Sequence, residues 1–364
     1  MGPADLEGGG RGWRFWIDRG GTFTDLVGQA PDGSLVVRKL LSERASASPA
    51  AAIEPDGGPA PDPAVAAIRQ VLGLAAATPL PEGLVEEVRL GTTVATNALL
   101  ERRVDPVLLL VNRGYADVSR IGEQHRPDIF ALRIERPEPL PHRVLEVPGR
   151  LAADGTELEP LAPDPALEAQ LRALHADGLR GCAVALLHAV ANPAHELALG
   201  AWLESLGFGP VLLSHQVGGL PRLIPRLQTT LVEAAVRPVL AAYLERLQRD
   251  LGAATRLRVM TSAGVLQSAE ALLAKDTILS GPAGGLQGAV AVARAAGFAG
   301  RPLIGFDMGG TSTDVVHLEG AAQQPAGAAS GDPGPELMSE LSPETVVDGL
   351  RLQALSLPIH TVAA

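Results

Sequence analysis

The sequence predicts an α/β protein organised around two copies of one β-hairpin, and three observations lead there. Asp18-Arg19-Gly20-Gly21-Thr22-Phe23-Thr24-Asp25 and Asp307-Met308-Gly309-Gly310-Thr311-Ser312-Thr313-Asp314 both read D-x-G-G-T-x-T-D, each between apolar runs. An ordinary tight turn does not require the same Thr and Asp positions twice, so the repeat is taken as the organising fact. Helix-opening and strand-like stretches alternate from Asp164 to Ser214, as in an α/β layer. Finally, 46% of the 364 residues are apolar, mostly Ala, Leu and Val, which is enough for roughly two or three cored domains.

In chain order, residues 1–12 are a Gly-rich lead without pattern, expected to be disordered. Trp13–Val27 is the first hairpin, and Asp32-Gly33 turns the chain into a strand over Ser34–Leu41. Ser42–Pro61 reads as a loose surface loop. Asp62-Pro63 opens a helix through Leu72, a cap followed by Pro at the first helical position. A strand over Val85–Leu90 runs into Gly91-Thr92-Thr93, which opens another helix. That arrangement offers backbone donors and hydroxyls to an anion or polar ligand, with a simple Thr cap as the competing reading. Val107–Val111 is an apolar strand. Asn112–Pro148 is an Arg-, Glu- and Pro-rich excursion whose Arg126 and Arg133 read more readily as solvated or paired than as ligand contacts.

Helices from Asp164-Pro165 to near Gly178 and from Asn192-Pro193 to near Gly207 alternate with strands over Cys182–His188 and Pro210–Ser214. Thr229–Leu251 is a long amphipathic helix in which Pro238 should introduce a kink. Leu257–Met260 is a strand, and Ser280-Gly281-Pro282-Ala283-Gly284-Gly285 opens an Ala-rich helix to about Ala296. Its glycines suit close approach either by a ligand or by another backbone. After the second hairpin, residues 321–336 are of low complexity and expected to be mobile, and Leu350–Ala364 is apolar and β-like.

Composition narrows the function classes. A net charge of −11 with no basic block argues against nucleic acid as the main partner. No apolar run of about 18 residues is present, so no membrane span is expected. Met1–Gly12 lacks a basic stretch followed by an apolar core, and the cytoplasm is the expected location. The single cysteine, Cys182, lies in an apolar run and reads as a core thiol. His188 and His195 have no partners at metal-ligand spacing and read as structural.

The repeated motif is suited to phosphate. Gly-Gly turns leave no Cβ in the way of converging backbone N–H groups, and Thr hydroxyls add donors. This assigns Gly20, Gly21, Thr22 and Thr24, with Gly309, Gly310, Thr311, Ser312 and Thr313, to phosphate contact. A carboxylate beside such a turn would repel phosphate unless Mg2+ lay between them, so Asp18 and Asp307 read as metal anchors. Asp25 and Asp314, seven residues on, are outer carboxylates. No G-x-x-x-x-G-K-[ST] loop is present.

Two such hairpins about 290 residues apart resemble the actin–sugar kinase–Hsp70 superfamily, in which two α/β domains close over ATP. More narrowly the chain is similar to the N-terminal part of the hydantoinase A / 5-oxoprolinase family. The residues that carry this are Phe15–Asp25, Lys39-Leu40-Leu41-Ser42-Glu43, Gly91–Arg102, Arg126-Pro127-Asp128-Ile129-Phe130, Leu279–Gly285 and Gly305–Asp314. Arg19, Lys39–Glu43 and Arg126–Phe130 resemble 5-oxoprolinase more than hydantoinase. Val265 departs from the family, which usually has a second Gly there.

The resemblance implies actin-like (ribonuclease H-like) ATPase domains. Residues 13–200 would form a hydantoinase/oxoprolinase N-terminal domain. Residues 201–364 would form a hydantoinase A-type domain truncated at its C-terminus, because Ile359–Ala364 resembles the segment before a Gly-Gly-Gly-Ser turn. The implied activity is ATP-dependent opening of a cyclic amide, 5-oxoproline to glutamate, with Asp18 and Asp307 as catalytic carboxylates and Thr92, Thr93 and Asn97 on the substrate side. Implied cofactors are ATP and Mg2+, with K+ as a further candidate. The implied partners are a lactam and a hydantoinase B-like subunit or a missing C-terminal half. A hydantoinase subunit and an inactive or regulatory nucleotide-binding remnant are the alternatives.

Overall fold

The computed structural model describes residues 12–42, 62–75, 78–124, 130, 132–133, 140, 142–298, 300–308, 312–318, 341–357 and 359–363. The first hairpin forms from β1 (Trp13–Arg19) and β2 (Phe23–Gln29), followed by β3 (Leu35–Leu41). Asp62 caps α1 (Pro63–Val71), its side chain accepting the Ala64 N–H, and Pro63 takes the first helical position as expected. Then come β4 (Val85–Thr92), α2 (Val94–Leu100), β5 (Val107–Asn112) and the short α3 (Val118–Ile121).

The excursion after Asn112 ends in a strand that its Arg- and Pro-rich sequence hides, β6 (His142–Val147), with β7 (Arg150–Leu151) and β8 (Glu157–Glu159) after it. The alternating layer follows as α4 (Pro165–Ala176), β9 (Cys182–Val184), α5 (Ala194–Ser205), β10 (Val211–Leu213) and α6 (Ser214–Val217). β9 is shorter than the apolar run foretold. The chain leaves the sheet after Val184, and His188 adopts φ 59°, incompatible with a strand.

Next come α7 (Leu223–Leu251), β11 (Arg256–Met260), β12 (Leu266–Ser268), α8 (Ser280–Ala295), β13 (Leu303–Met308), β14 (Ser312–Leu318), β15 (Thr345–Val347), β16 (Leu350–Leu352) and β17 (Ile359–Ala363). The long helix α7 begins six residues earlier than its apolar pattern indicates, because Pro225 falls in the first turn, where no N–H is needed. It runs on through Pro238 as one assigned helix. Among the expectations, the lead over residues 1–11, the loop over 43–61, the low-complexity stretch 321–336 and Arg126 lie outside the described residues.

Three larger sheets organise these elements, beside the two-stranded pairs β7-β8 and β15-β16. A six-stranded sheet has the order β12-β11-β4-β1-β2-β3, with β1, β4 and β11 parallel. A four-stranded sheet, β10-β9-β5-β6, is parallel throughout. The second hairpin lies in a three-stranded sheet, β13-β14-β17. β5 is buried along its whole length and reads as an unbroken apolar run for that reason. Val107, Leu109 and Val111 face the largest core, shared with β1, β4, α1, α2 and α7, while Leu108 and Leu110 face a second core with Leu171, Cys182, Leu199 and Leu203. Cys182 is fully buried, as expected, and its surroundings push the thiol up to about 12. A third, smaller core joins Ala283, Leu286 and Val290 of α8 to Val316, Leu318 and Leu357.

Candidate active site

The two hairpins share one register. In the first, Asp18 pairs with Asp25 and Arg19 with Thr24; in the second, Asp307 pairs with Asp314 and Met308 with Thr313. The first turn is closed by the Gly20 N–H donating to the Phe23 carbonyl at 3.0 Å. Asp18 is reachable by solvent but crowded by protein. That crowding, then the negative charges of Asp25 and Asp307, hold its carboxyl above the ordinary value, with Lys39 opposing. Asp307 therefore lies within electrostatic reach of Asp18 despite their separation in sequence.

What brings them together is the N-terminal half of α8. A Cβ added to Gly281 would stand 3.9 Å from Asp18 Oδ1, and one added to Gly285 would stand 3.8 Å from Asp307 Oδ2. Residues four apart lie one above the other on a helix face, so one bare stripe of α8 runs past both carboxylates. The helix is anchored at its start: Ser280 Oγ donates to the Thr92 carbonyl at 3.2 Å, and Leu279 takes a left-handed conformation at φ 73° to admit it. β1, β4 and β11 all point their carboxyl ends this way, the edge of a parallel sheet at which α/β proteins take their ligands. The sequence leaves the role of these glycines open; the distances to Asp18 and Asp307 emerge only from packing.

α2 borders the same space. The Thr93 N–H and hydroxyl donate to the Arg19 carbonyl at 3.2 and 3.3 Å, and Asn97 Nδ2 donates to Thr93 Oγ1 at 3.3 Å. That amide nitrogen is 3.8 Å from where a Cβ on Gly21 would be. Thr93 and Asn97 are thus beside the first turn, and Gly21 and Thr22 are exposed there, with Gly20 half-buried.

Two expected contacts are placed differently. Thr24 is fully buried, its hydroxyl 2.9 Å from Ser42 Oγ, which in turn donates to the Gly20 carbonyl at 2.8 Å. Alternation along β2 turns Thr24 to the core side, so its hydroxyl braces the turn from beneath and is not offered to the open side. Thr92 is also fully buried, and its hydroxyl accepts the Val94 N–H at 3.3 Å, supporting the start of α2. Ser42 carries no site signal in the sequence, because its partner Thr24 lies 18 residues away on β2.

Asp25 is exposed and paired with Lys39 at 2.9 Å, and Asp314 and Thr313 are half-buried on β14, which Ser312 begins. Gly309, Gly310 and Thr311 lie outside the described residues. His195 is bonded to Glu157 at 2.8 Å, a structural contact as foreseen. Among the described residues no group of three or more His, Cys, Asp or Glu side chains could hold a metal ion, and no helix is long and apolar enough to cross a membrane.

Known proteins share the sequence and the fold of this chain. The chain is 34% identical to 5-oxoprolinase 1 of Arabidopsis thaliana, over 96% of this chain and 28% of that protein. It is 30% identical to the caprolactamase subunit alpha of Pseudomonas jessenii, over 85% of this chain and 44% of that one. The crystal structure of the ATP-dependent caprolactamase from the same organism superposes with a TM-score of 0.69 at 27% identity, covering 96% of this chain and 48% of that one. A nucleotide-free acetone carboxylase structure, from work on ATP-dependent acetone carboxylation, superposes with a TM-score of 0.73 at 25% identity and the same coverage. The chain thus spans less than half the length of each of these relatives. Residues 14–207 match the hydantoinase/oxoprolinase N-terminal region and residues 226–364 match the hydantoinase/oxoprolinase family, and the chain belongs to that family.

Proposed function

We propose that this chain is the nucleotide-binding portion of an ATP-dependent cyclic-amide hydrolase that opens 5-oxoproline to glutamate. The observation that carries the reading is the bare stripe of α8 that brings Asp18 and Asp307 to one gap. Two carboxylates of like charge, one with its carboxyl held above its ordinary value, are an arrangement that a cation and a phosphate chain would relieve. They fit Mg2+, which is commonly held by one or two carboxylates plus substrate phosphates and needs no larger protein cage. When bound, that ion would supply charge neutralisation at the phosphates.

The chain's own residues then divide the work. The backbone N–H of Gly21 and the exposed Thr22 bind phosphate from the first turn, which the Gly20 N–H closes by its bond to the Phe23 carbonyl, and Gly309, Gly310, Thr311, Ser312 and Thr313 take the phosphate role in the second. Thr24 and Ser42 hold the first turn in shape. Thr93 and Asn97, next to Gly21, orient the lactam, with Thr92 setting the start of α2 behind them. Asp25 and Asp314 act as outer carboxylates across the strands. An unstrained lactam carbonyl is a poor electrophile. Attack by its oxygen on the γ-phosphorus forms an O–P bond and releases ADP; water then adds at the activated carbon. The C–N bond breaks with a proton going to nitrogen, and a second water releases phosphate. Catalysis of such transfers is mostly positioning and charge stabilisation.

A further polypeptide, hydantoinase B-like or corresponding to the C-terminal part of the longer relatives, is proposed to complete the enzyme. The apolar residues Ile304, Phe306 and Met308, side by side and exposed on β13, support this. Calorimetry of the chain with Mg-ATP is expected to give saturable heat; none at high nucleotide removes the nucleotide reading. ATP-dependent glutamate release, assayed with and without the added polypeptide and with hydantoin in place of 5-oxoproline, tests the partner and the lactam.

A further inference from the structure

Beneath the first turn, on the face of β1 opposite Asp18, lies an ionic cluster that the nucleotide reading leaves unused. Arg19 follows Asp18 along the strand, so its side chain turns to the core side. Its guanidinium lies over the Tyr243 ring, 4.8 Å from the ring centre, and its Nε is 3.6 Å from Asp62 Oδ2. Arg246, on the same face of α7 as Tyr243, reaches that oxygen at 3.6 Å as well. Asp62 is buried, and its other oxygen accepts the Ala64 N–H at 2.9 Å. Among the described residues, Arg19 Nε and Asp62 Oδ2 have no hydrogen-bond partner. Burial and then the Asp62 charge raise the Tyr243 hydroxyl above its ordinary value, so the phenol is neutral.

Among the described residues the cluster therefore holds two guanidinium groups and one carboxylate. One positive charge is left over among them, on the core side of the strand that leads into Gly20 and Gly21. A scaffold contact alone would be better served by a balanced pair, or by apolar groups, than by buried polar atoms without hydrogen bonds. The surplus gains its use only when a negative group arrives on the other side of the turn. The peptide between them is fixed, because the Arg19 carbonyl is held by both donors of Thr93.

We propose that Arg19 is the positioning residue of the first turn. With Arg246 it keeps a net positive charge behind Gly20 and Gly21 and so raises the affinity of that turn for a phosphate oxyanion. This rests on the nucleotide reading above. It differs from a packing role in the sign of one substitution. Asn caps a helix about as well as Asp, so Asp62→Asn preserves α1 while removing the opposing charge.

The test is titration of the full chain with Mg-ATP, alongside thermal melts of each variant. Arg19→Met is expected to weaken binding roughly tenfold, on the scale of one charge acting across a partly buried distance. Arg19→Lys is expected to recover most of that loss, and Asp62→Asn to bind at least as tightly as the unsubstituted chain. Equal weakening by Asp62→Asn and Arg19→Met overturns the proposal in favour of packing, as does unchanged affinity in a folded Arg19→Met protein. Should Arg19→Met not fold, Arg19→Lys and Asp62→Asn decide: tighter or equal binding by the latter supports the proposal, weaker binding overturns it. Absence of Mg-ATP binding by the unsubstituted chain would overturn the nucleotide reading itself, whereas normal binding insensitive to Arg19 overturns only this proposal.

Discussion

The two hairpins carry the same motif in the same register, yet they live in different surroundings. Phe15 and Ile17, ahead of Asp18 on β1, are 0% and 3% exposed, whereas Ile304 and Phe306, which hold the same places ahead of Asp307 on β13, are 69% and 67% exposed. β1 is flanked by β4 and β2 inside a six-stranded sheet and is roofed by α1 and α7; β13 is the edge of a three-stranded one. The face that helices cover in the first copy is bare in the second, which is held chiefly through α8 and Leu357. A short motif therefore dictates turn and register, while the rest of the fold decides how firmly the turn is seated.

The comparison can be broken most forcefully at the carboxylates. If the copies act on one ligand, Asp18→Ala and Asp307→Ala should each lower lactam-dependent ATP turnover in the assembled enzyme by roughly a thousandfold, the scale seen when charge stabilisation at a transferring group is lost. Steady-state turnover measures this. Loss from one substitution alone would mean that the second hairpin repeats the sequence without sharing the work.

Stability offers the next contrast. Ile17→Ala deletes methyl groups from a closed core and should cost about 2–5 kcal/mol. Phe306→Ala removes a side chain already in water and should stay within about 0.5 kcal/mol in this chain. Urea unfolding of both variants checks the pair. A large cost at Phe306 would show that its face is covered in solution, for instance by a second copy, and concentration-dependent melting would then accompany it.

How much of this was legible beforehand follows from the range of each interaction. The repeat announced both hairpins, and the pairings Asp18 with Asp25 and Asp307 with Asp314 are what a two-glycine turn between such strands enforces. Caps at Asp62 and Asp164 placed their helices, because capping is a contact within three residues. β6 was hidden because its pairing with β5 is what makes it a strand; His142-Arg143-Val144-Leu145-Glu146-Val147 has no clean alternation of its own. The start of α7 was hidden because both sides of its first turns are buried, which erases the amphipathic stripe. At the site, the hydroxyls of Thr22 and Thr24 look equivalent in sequence, yet strand alternation buries the second against Ser42. The pairing of Gly281 with Asp18 and of Gly285 with Asp307 joins segments that share no local signal at all.

Those two glycines yield the smallest and most discriminating effect. Each Cβ that alanine would add meets only ordinary van der Waals contact, at 3.9 Å for Gly281 and 3.8 Å for Gly285, so neither change strains the fold. Alanine also removes the entropic cost of glycine in a helix, and Gly285→Ala should raise stability by up to about 1 kcal/mol. The same methyl group occupies room beside the Asp307 carboxylate that a metal and phosphate would need, so Mg-ATP affinity should fall severalfold while the melting temperature rises. Gly288, where an added Cβ would meet nothing within 4 Å, provides the control: its alanine variant should gain stability and keep its affinity. Stability and affinity moving in opposite directions at Gly281 and Gly285, but not at Gly288, is the signature of a helix face kept bare for a ligand. If all three variants bind Mg-ATP as the unsubstituted chain does, the stripe merely lets α8 pack closely, and the two hairpins are neighbours without a common ligand.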